Sequence, residues 1–495
     1  MPADPSEIWT RLPDAQWDAA AARHLLRRAA WAATPQEVER ATAEGLDRTL
    51  DRLFPAEAPR PPEPSSVSAL EEDTPAFMQK LRQAKGTEKK ELQREARERA
   101  QGALHDLTIE WLRFAAQPEQ SASAKWVFFL SDVYVVAADK VRNPALLWQH
   151  FDTLSRHAFG PAPVLTKAVS RSPAMIRYLD LDQNKRGAPN ENFARELFEL
   201  FLLGEGNYSE HDIKESARAF TGYRTRFGEF FLAARQHDAG TKTVFASTGR
   251  LAGDDVIDLA YRQPAAGTFL PHELVKFYLS DTPLAPEQLA PLGSWWSENS
   301  FALRALAHRF FGSRMFFAPE FRGALIKSPV QYYLGLLQEL DLDVPPLPRR
   351  IIFPLRLMGQ MPFNPPNVRG WVGGRSWINS ATLAARRTLV ESLFAPLREE
   401  TLNADERRAL SAARAAGNRG FTIGEDGFTD LSQLDSTAAA RHLATKFLPH
   451  ETAPEIEASL RQFLERDDEV SPAQRARRLR RGAVALLQSP EYQLC

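Results

Sequence analysis

Residues 189–224, PNENFARELFELFLLGEGNYSEHDIKESARAFTGYR, constrain the fold more than any other stretch of this chain. Phe193, Leu197, Leu200 and Phe201 recur at helical spacing, and Pro189 suits a first helical position, where a missing N–H costs nothing. Gly204 and Gly206 then end the helix. Ser209 with Asp212 three residues on has the form of a capping box, and Ile213, Ala217 and Phe220 continue as one buried stripe. The stretch therefore predicts a helical hairpin. Asn190, Glu191, Asn192, Arg195, Glu196 and Glu199 crowd into about three turns of its first arm. Some of these groups must lie at the edge of the core, and a buried charge needs a partner. Glu191, Arg195 and Glu199 stand at i, i+4 and i+8, the spacing of a salt-bridged helix face. The competing reading sets Glu191 and Glu196 at a pocket floor, with Arg195 holding a polar or anionic ligand beside Asn190 and Asn192.

The rest of the chain reads as mainly α: a large multi-helix body with long Pro/Gly-rich loops. Residues 1–54 form an N-terminal helical docking segment in which Thr34, Pro35 and Glu37 mark a helix start. Residues 55–76 shift to Pro, Glu and Ser and mark a linker. The main helical domain spans 77–398 with the hairpin at its centre, and a C-terminal helical segment, 399–495, packs on it. Within 225–250 the pattern alternates instead, which predicts a small β-hairpin insertion. His237, Asp238 and Lys242 sit in its polar bend as an acid–base set, with His237 and Asp238 as candidates for proton transfer. Near 358–389, closely spaced Pro and Gly exclude a helix while Trp371 and Trp377 require burial. Asn364, Asn367, Arg369, Arg375 and Asn379 are candidates to wall a pocket there, with Asn364, Trp371 and Trp377 suited to a sugar-like ligand. His150 and His157, seven apart on one predicted helix, are too widely spaced for a metal without further ligands.

The 495 residues carry 62 basic and 63 acidic side chains, so no global field draws the chain to nucleic acid or to an anionic membrane. Its single cysteine, Cys495, excludes an intramolecular disulfide and any cysteine-based metal site. The most apolar run, 126–138, falls short of the roughly 20 residues a membrane span needs. The first twenty residues lack the basic and apolar pattern of a secretory signal, which leads to the expectation of a cytoplasmic protein. Phosphate-binding loops, dinucleotide fingerprints, HExxH and GxSxG are absent, and His272-Glu273 lacks the second histidine of a zincin.

The motifs HLLRRAAWAATPQEVE, PAMIRYLD, PNENFARELFELFLLGEGNYSEHDIKESARAFTGYR, RQHDAGTKT, KFYLSDTP, FNPPNVRGW and LLQSPEY, in this order, resemble the bacterial family called domain of unknown function 1800. The resemblance covers almost the full length. It implies a large helical protein, often exported, with a partner family called domain of unknown function 1501 that is similar to phosphatases and sulfatases. It also carries the polar signature onto Asn190, Glu191, Asn192, Arg195, Glu196, His237, Asp238, Lys242, Asn364 and Trp371. Members usually show a Trp-His-Asn/Gly-His-Phe motif where this chain reads Leu130-Ser131-Asp132-Val133-Tyr134. With both imidazoles gone, no zinc or iron is expected. Asp132 with Glu191 and Glu196 is left as a set for a harder, oxygen-liking cation. Two functional readings follow: a hydrolase or transferase acting on a polar or anionic substrate through a carboxylate, Arg and His pocket, or a non-catalytic binding and assembly module.

Overall fold

A computed structural model describes residues 7–70, 74–418, 420–424, 426–449, 454–465 and 471–495. The first six residues of the N-terminus, and parts of the linker and the C-terminal segment, lie outside these. Among the described residues the chain forms 24 α-helices and two two-stranded antiparallel sheets. The architecture is mainly α, and one apolar core runs from Ile8 to Tyr492. None of the described helices is long and apolar enough to cross a membrane.

The centre of the body is built on α1 (Gly86–Ala116), α2 (Pro118–Val133) and α3 (Pro144–His157). Trp126 of α2 is fully buried and packs its ring against Phe54, Phe129, Phe159 and Tyr278. Beside it, Lys125 is buried and donates to the carbonyls of Arg28 and Ala30 at 2.7 and 2.9 Å. Arg28 in turn donates to the carbonyls of Tyr278 and Leu279. Each cation thus closes a helix C-terminus, where carbonyls are left over and the dipole is negative. Burial lowers the Lys125 ammonium to about 7. His150 of α3 contacts the Tyr134 carbonyl through one ring nitrogen and the Ser172 hydroxyl through the other, both at 3.0 Å. With both nitrogens engaged and burial lowering its pKa to about 4, His150 is a core residue, not a ligand.

The hairpin forms as its spacing predicts, with two differences of detail. The first arm, α4, begins at Asn192 rather than at Pro189, because the Asn190 side chain accepts the Asn192 N–H at 2.9 Å and closes a turn ahead of the helix. From Leu197 to Leu202 the arm widens into a π-helix, so the N–H groups of both Leu203 and Gly204 reach the Phe198 carbonyl. Gly204, at φ +78°, ends it. The capping box of Ser209 and Asp212 starts α5 (Glu210–Ala219), whose Ile213 and Ala217 are buried.

The expected β insertion is split into two ribbons. In the first, β1 (Tyr223–Arg226) pairs with β2 (Glu229–Leu232); in the second, β3 (Lys242–Val244) pairs with β4 (Ser247–Gly249). The segment between them folds back over Thr221 instead of extending a single hairpin. Asp238 N–H donates to the Thr221 hydroxyl at 2.7 Å, and His237 Nδ1 meets the Thr221 carbonyl at 2.9 Å. One last helix places the site: α6 (Pro264–Tyr278), which packs against the π-helical arm of the hairpin.

Candidate functional site

A cleft of about 880 Å³ opens between the π-helical arm, α6 and the loop 367–372. Glu199, Leu200 and Leu203 line one wall, Phe269, His272, Glu273 and Lys276 the other, and Arg369 and Val372 the rim. The π-helix turns Glu199 toward this space. Its carboxylate accepts from Arg369 at 2.6 Å and from the Tyr208 hydroxyl at 3.1 Å, and the same Arg369 reaches Glu205 at 3.0 Å. On the facing helix, Glu273 and Lys276 stand 3.7 Å apart at i and i+3. The cleft therefore has charged side chains on both walls and apolar ones between them.

At its throat lies Asp132, from the last turn of α2. Beyond Asp132 a smaller chamber of about 50 Å³ continues between Phe129, Asp281, Trp371 and Trp377. Asp132 accepts the Trp371 N–H at 2.9 Å. The approach that allows this bond depends on Gly370, which sits at φ +75° and whose missing Cβ would collide with the Asp132 carboxyl. Gly374 meets Asp281 in the same way: a Cβ there would stand 2.8 Å from that carboxyl. The loop is thus laid down on two acids. Asp132 keeps one face on the cleft, yet burial raises its pKa to about 7, against the opposing pull of the Trp371 N–H and the Lys276 charge. Burial also raises Asp281. A carboxyl that stays protonated near neutrality is equipped to pass a proton to a bound molecule.

The residues singled out in the sequence fall into three groups. Trp371 and Trp377 are buried and line the inner chamber; Asn367 and Arg369 line the cleft, as the loop composition suggested. Asn364 does not join them, since its side chain accepts the Asp139 N–H and caps a short helix. The second group is the start of the hairpin. Arg195 pairs with Glu191 at 3.2 Å, but its closer partner is Glu210 of α5, which it contacts with two nitrogens at 2.7 and 2.9 Å. The expected salt-bridged face is present between Glu191 and Arg195, while Glu199 belongs to Arg369 instead. Glu196, half-buried, has its pKa raised by burial and then by the Glu199 charge. Asn190 and Asn192 hold the turn: Asn192 donates to the Leu179 carbonyl, and Asn190 N–H donates to Asn184.

The third group is the bend. The Asp238 carboxylate accepts from Arg218 at 2.8 Å and from the Gly240 N–H at 2.8 Å, and the Arg218 guanidinium holds its pKa down. His237 turns to the Thr221 carbonyl instead. The expected His237–Asp238 proton-transfer pair is therefore replaced by a clasp, because Arg218 on α5 is the stronger partner for a carboxylate. Lys242 donates to the carbonyls of Asp238 and Gly240 and is buried. The hard-cation set also does not assemble. Among the described residues no three His, Cys, Asp or Glu side chains are placed to hold a metal ion; Asp132 faces the loop N–H while Glu191 lies with Arg195.

Sequence reasoning missed the α6 wall. His272, Glu273 and Lys276 at i, i+1 and i+4 share a polar strip beside Pro271, a local pattern without a metal-ligand spacing.

A helical body with a charged cleft at the end of a central hairpin is the class that fold and site define. The sequence model of the family described as Protein of unknown function (DUF1800) matches residues 24–494, and the chain belongs to that family. No curated protein and no solved structure matches it.

Proposed function

We propose that the cleft binds a polar or anionic substrate and that Asp132 serves as its proton donor and acceptor in a hydrolytic or transfer reaction. The observation that carries this reading is the placement of Asp132: enclosed enough to hold a proton near neutrality, open enough to face the cleft. Glu273 adds a second carboxylate whose repulsion favours the protonated Asp132, and Lys276 and Arg369 are the cations lining the cleft, which an anionic or polar group would share with their present partners Glu273, Glu199 and Glu205. The alternative is a non-catalytic binding or assembly module partnering a protein of the domain of unknown function 1501 family, with the cleft rim at Arg369 and Val372 as its contact. Both readings take the protein as a bacterial cytoplasmic one without a nucleic-acid partner, and the even charge balance supports the last of these.

The test is a panel of chromogenic esters, glycosides, phosphates and sulfates offered to the wild-type protein and to Asp132→Asn, which keeps the oxygen that accepts the Trp371 N–H. Turnover of at least one class by the wild type, lost in Asp132→Asn while the fold is retained, is the expected result. Equal turnover by both proteins, or none by the wild type on any class, rejects the catalytic reading in favour of the module.

A further inference from the structure

The ribbon formed by β1 and β2 carries an arrangement that the cleft does not use. Its two-residue turn, Phe227-Gly228, joins the paired residues Arg226 and Glu229, and both turn residues have positive φ, +53° and +76°. Two-residue turns of this kind favour Asn-Gly, because a bulky side chain at positive φ crowds its own backbone. Phenylalanine is a poor choice for the fold there. It is nevertheless 48 % exposed, with the Arg226 guanidinium lying 5.1 Å over its ring.

The register extends this surface. Arg224 pairs with Phe231 and Arg226 with Glu229, so these four side chains share one face of the ribbon, and Phe231 is 42 % exposed. On the opposite face Tyr223 turns inward and packs its ring on Phe230 and Phe220, while its register partner Leu232 stays exposed. Residues 223–235 hold Arg224, Arg226 and Arg235 against Glu229 alone, three cations minus one anion, a net +2. Among the described residues Arg226 and Arg235 form no ion pair, and Arg224 donates to the Asn184 and Tyr223 carbonyls, not to a carboxylate.

We infer that this ribbon is a docking tip for an anionic phospholipid surface, with Phe227 entering the headgroup boundary and the exposed Arg226 and Arg235 meeting lipid phosphates. Charge complementarity selects an anionic occupant. The small size of the tip selects a bilayer over a folded protein, since a stable protein interface buries about 1,200 Å² or more and a ten-residue ribbon does not supply that. A bilayer contact requires only a few inserted rings and basic groups. The inference is independent of the cleft.

The test is flotation of the full chain with vesicles of phosphatidylcholine alone and of phosphatidylcholine with phosphatidylglycerol, at low and high salt. The wild type is expected to float with the anionic vesicles only and to be released by salt. Phe227→Asn installs the residue the turn prefers, so its melting temperature should equal or exceed that of the wild type while vesicle partitioning drops about tenfold or more. Arg226→Gln should lower partitioning about fivefold. Absence of flotation with anionic vesicles, equal flotation with neutral ones, or undiminished binding by Phe227→Asn overturns the inference. So does a Phe227→Asn protein that elutes as a smaller species than the wild type, which would assign the tip to a second copy of the chain.

Discussion

Asp132→Asn tests the physical chemistry of the throat without reference to any substrate. In the unfolded chain the Asp132 carboxyl titrates at its ordinary value of 3.8; in the folded protein burial raises it to about 7. Between these values the native state holds a proton that the denatured state has released, so the contribution of Asp132 to stability falls as pH rises through this window and is level on either side, while groups shared by both proteins cancel in the comparison with the variant. Each pKa unit is worth about 1.36 kcal/mol, and a shift of about three units sets a ceiling of about 4 kcal/mol on the loss. Asparagine accepts the same Trp371 N–H and does not ionise, so the variant escapes this penalty. Urea unfolding followed by tryptophan fluorescence should therefore show the two proteins close together near about pH 4, and the variant ahead by up to about 4 kcal/mol at about pH 8.5. A gap that is constant across pH, or a variant less stable at alkaline pH than at acid pH relative to the wild type, refutes the claim that Asp132 is held protonated by burial.

Gly370→Ala should destabilise the fold by more than about 1 kcal/mol, since its φ is +75° and the new methyl meets the Asp132 carboxyl; a thermal melt against the wild type checks it. Arg195→Met should cost only about 0–1 kcal/mol, because Arg195 is 35 % exposed and its nearer partner Glu210 is 65 % exposed. A loss of several kcal/mol in the same melt would show that the hairpin depends on this pair. Arg218→Met should cost more than Arg195→Met, as it leaves Glu215 and Asp238, each 15 % exposed, without their shared cation. His150→Leu should cost about 1–3 kcal/mol by stranding the Tyr134 carbonyl and the Ser172 hydroxyl, measured by chemical denaturation.

The helical hairpin, its capping box and its glycine stop were legible in the sequence because each is written within a few residues: a repeat of 3.6, a Ser and Asp three apart, a residue free to take positive φ. The burial of Trp371 and Trp377 was legible for a similar reason, since a large ring in a loop that cannot be helical must pack on something. The His237-Asp238 pair misled because neighbours in sequence compete with partners from elsewhere, and Arg218 from α5 takes the carboxylate while Thr221 takes the imidazole. Arg195 was legible in part: its spacing named Glu191, with which it pairs, but its closer partner Glu210 came from the second helix. The cleft was decided by tertiary structure alone. Asp132 and Trp371 stand 239 positions apart, and the α6 wall comes from a third region of the chain. The pKa of Asp132 likewise has no local cause. Residue type makes a carboxyl, whereas its proton affinity is set by how much water the surrounding helices and the loop exclude, which depends on packing across the whole body.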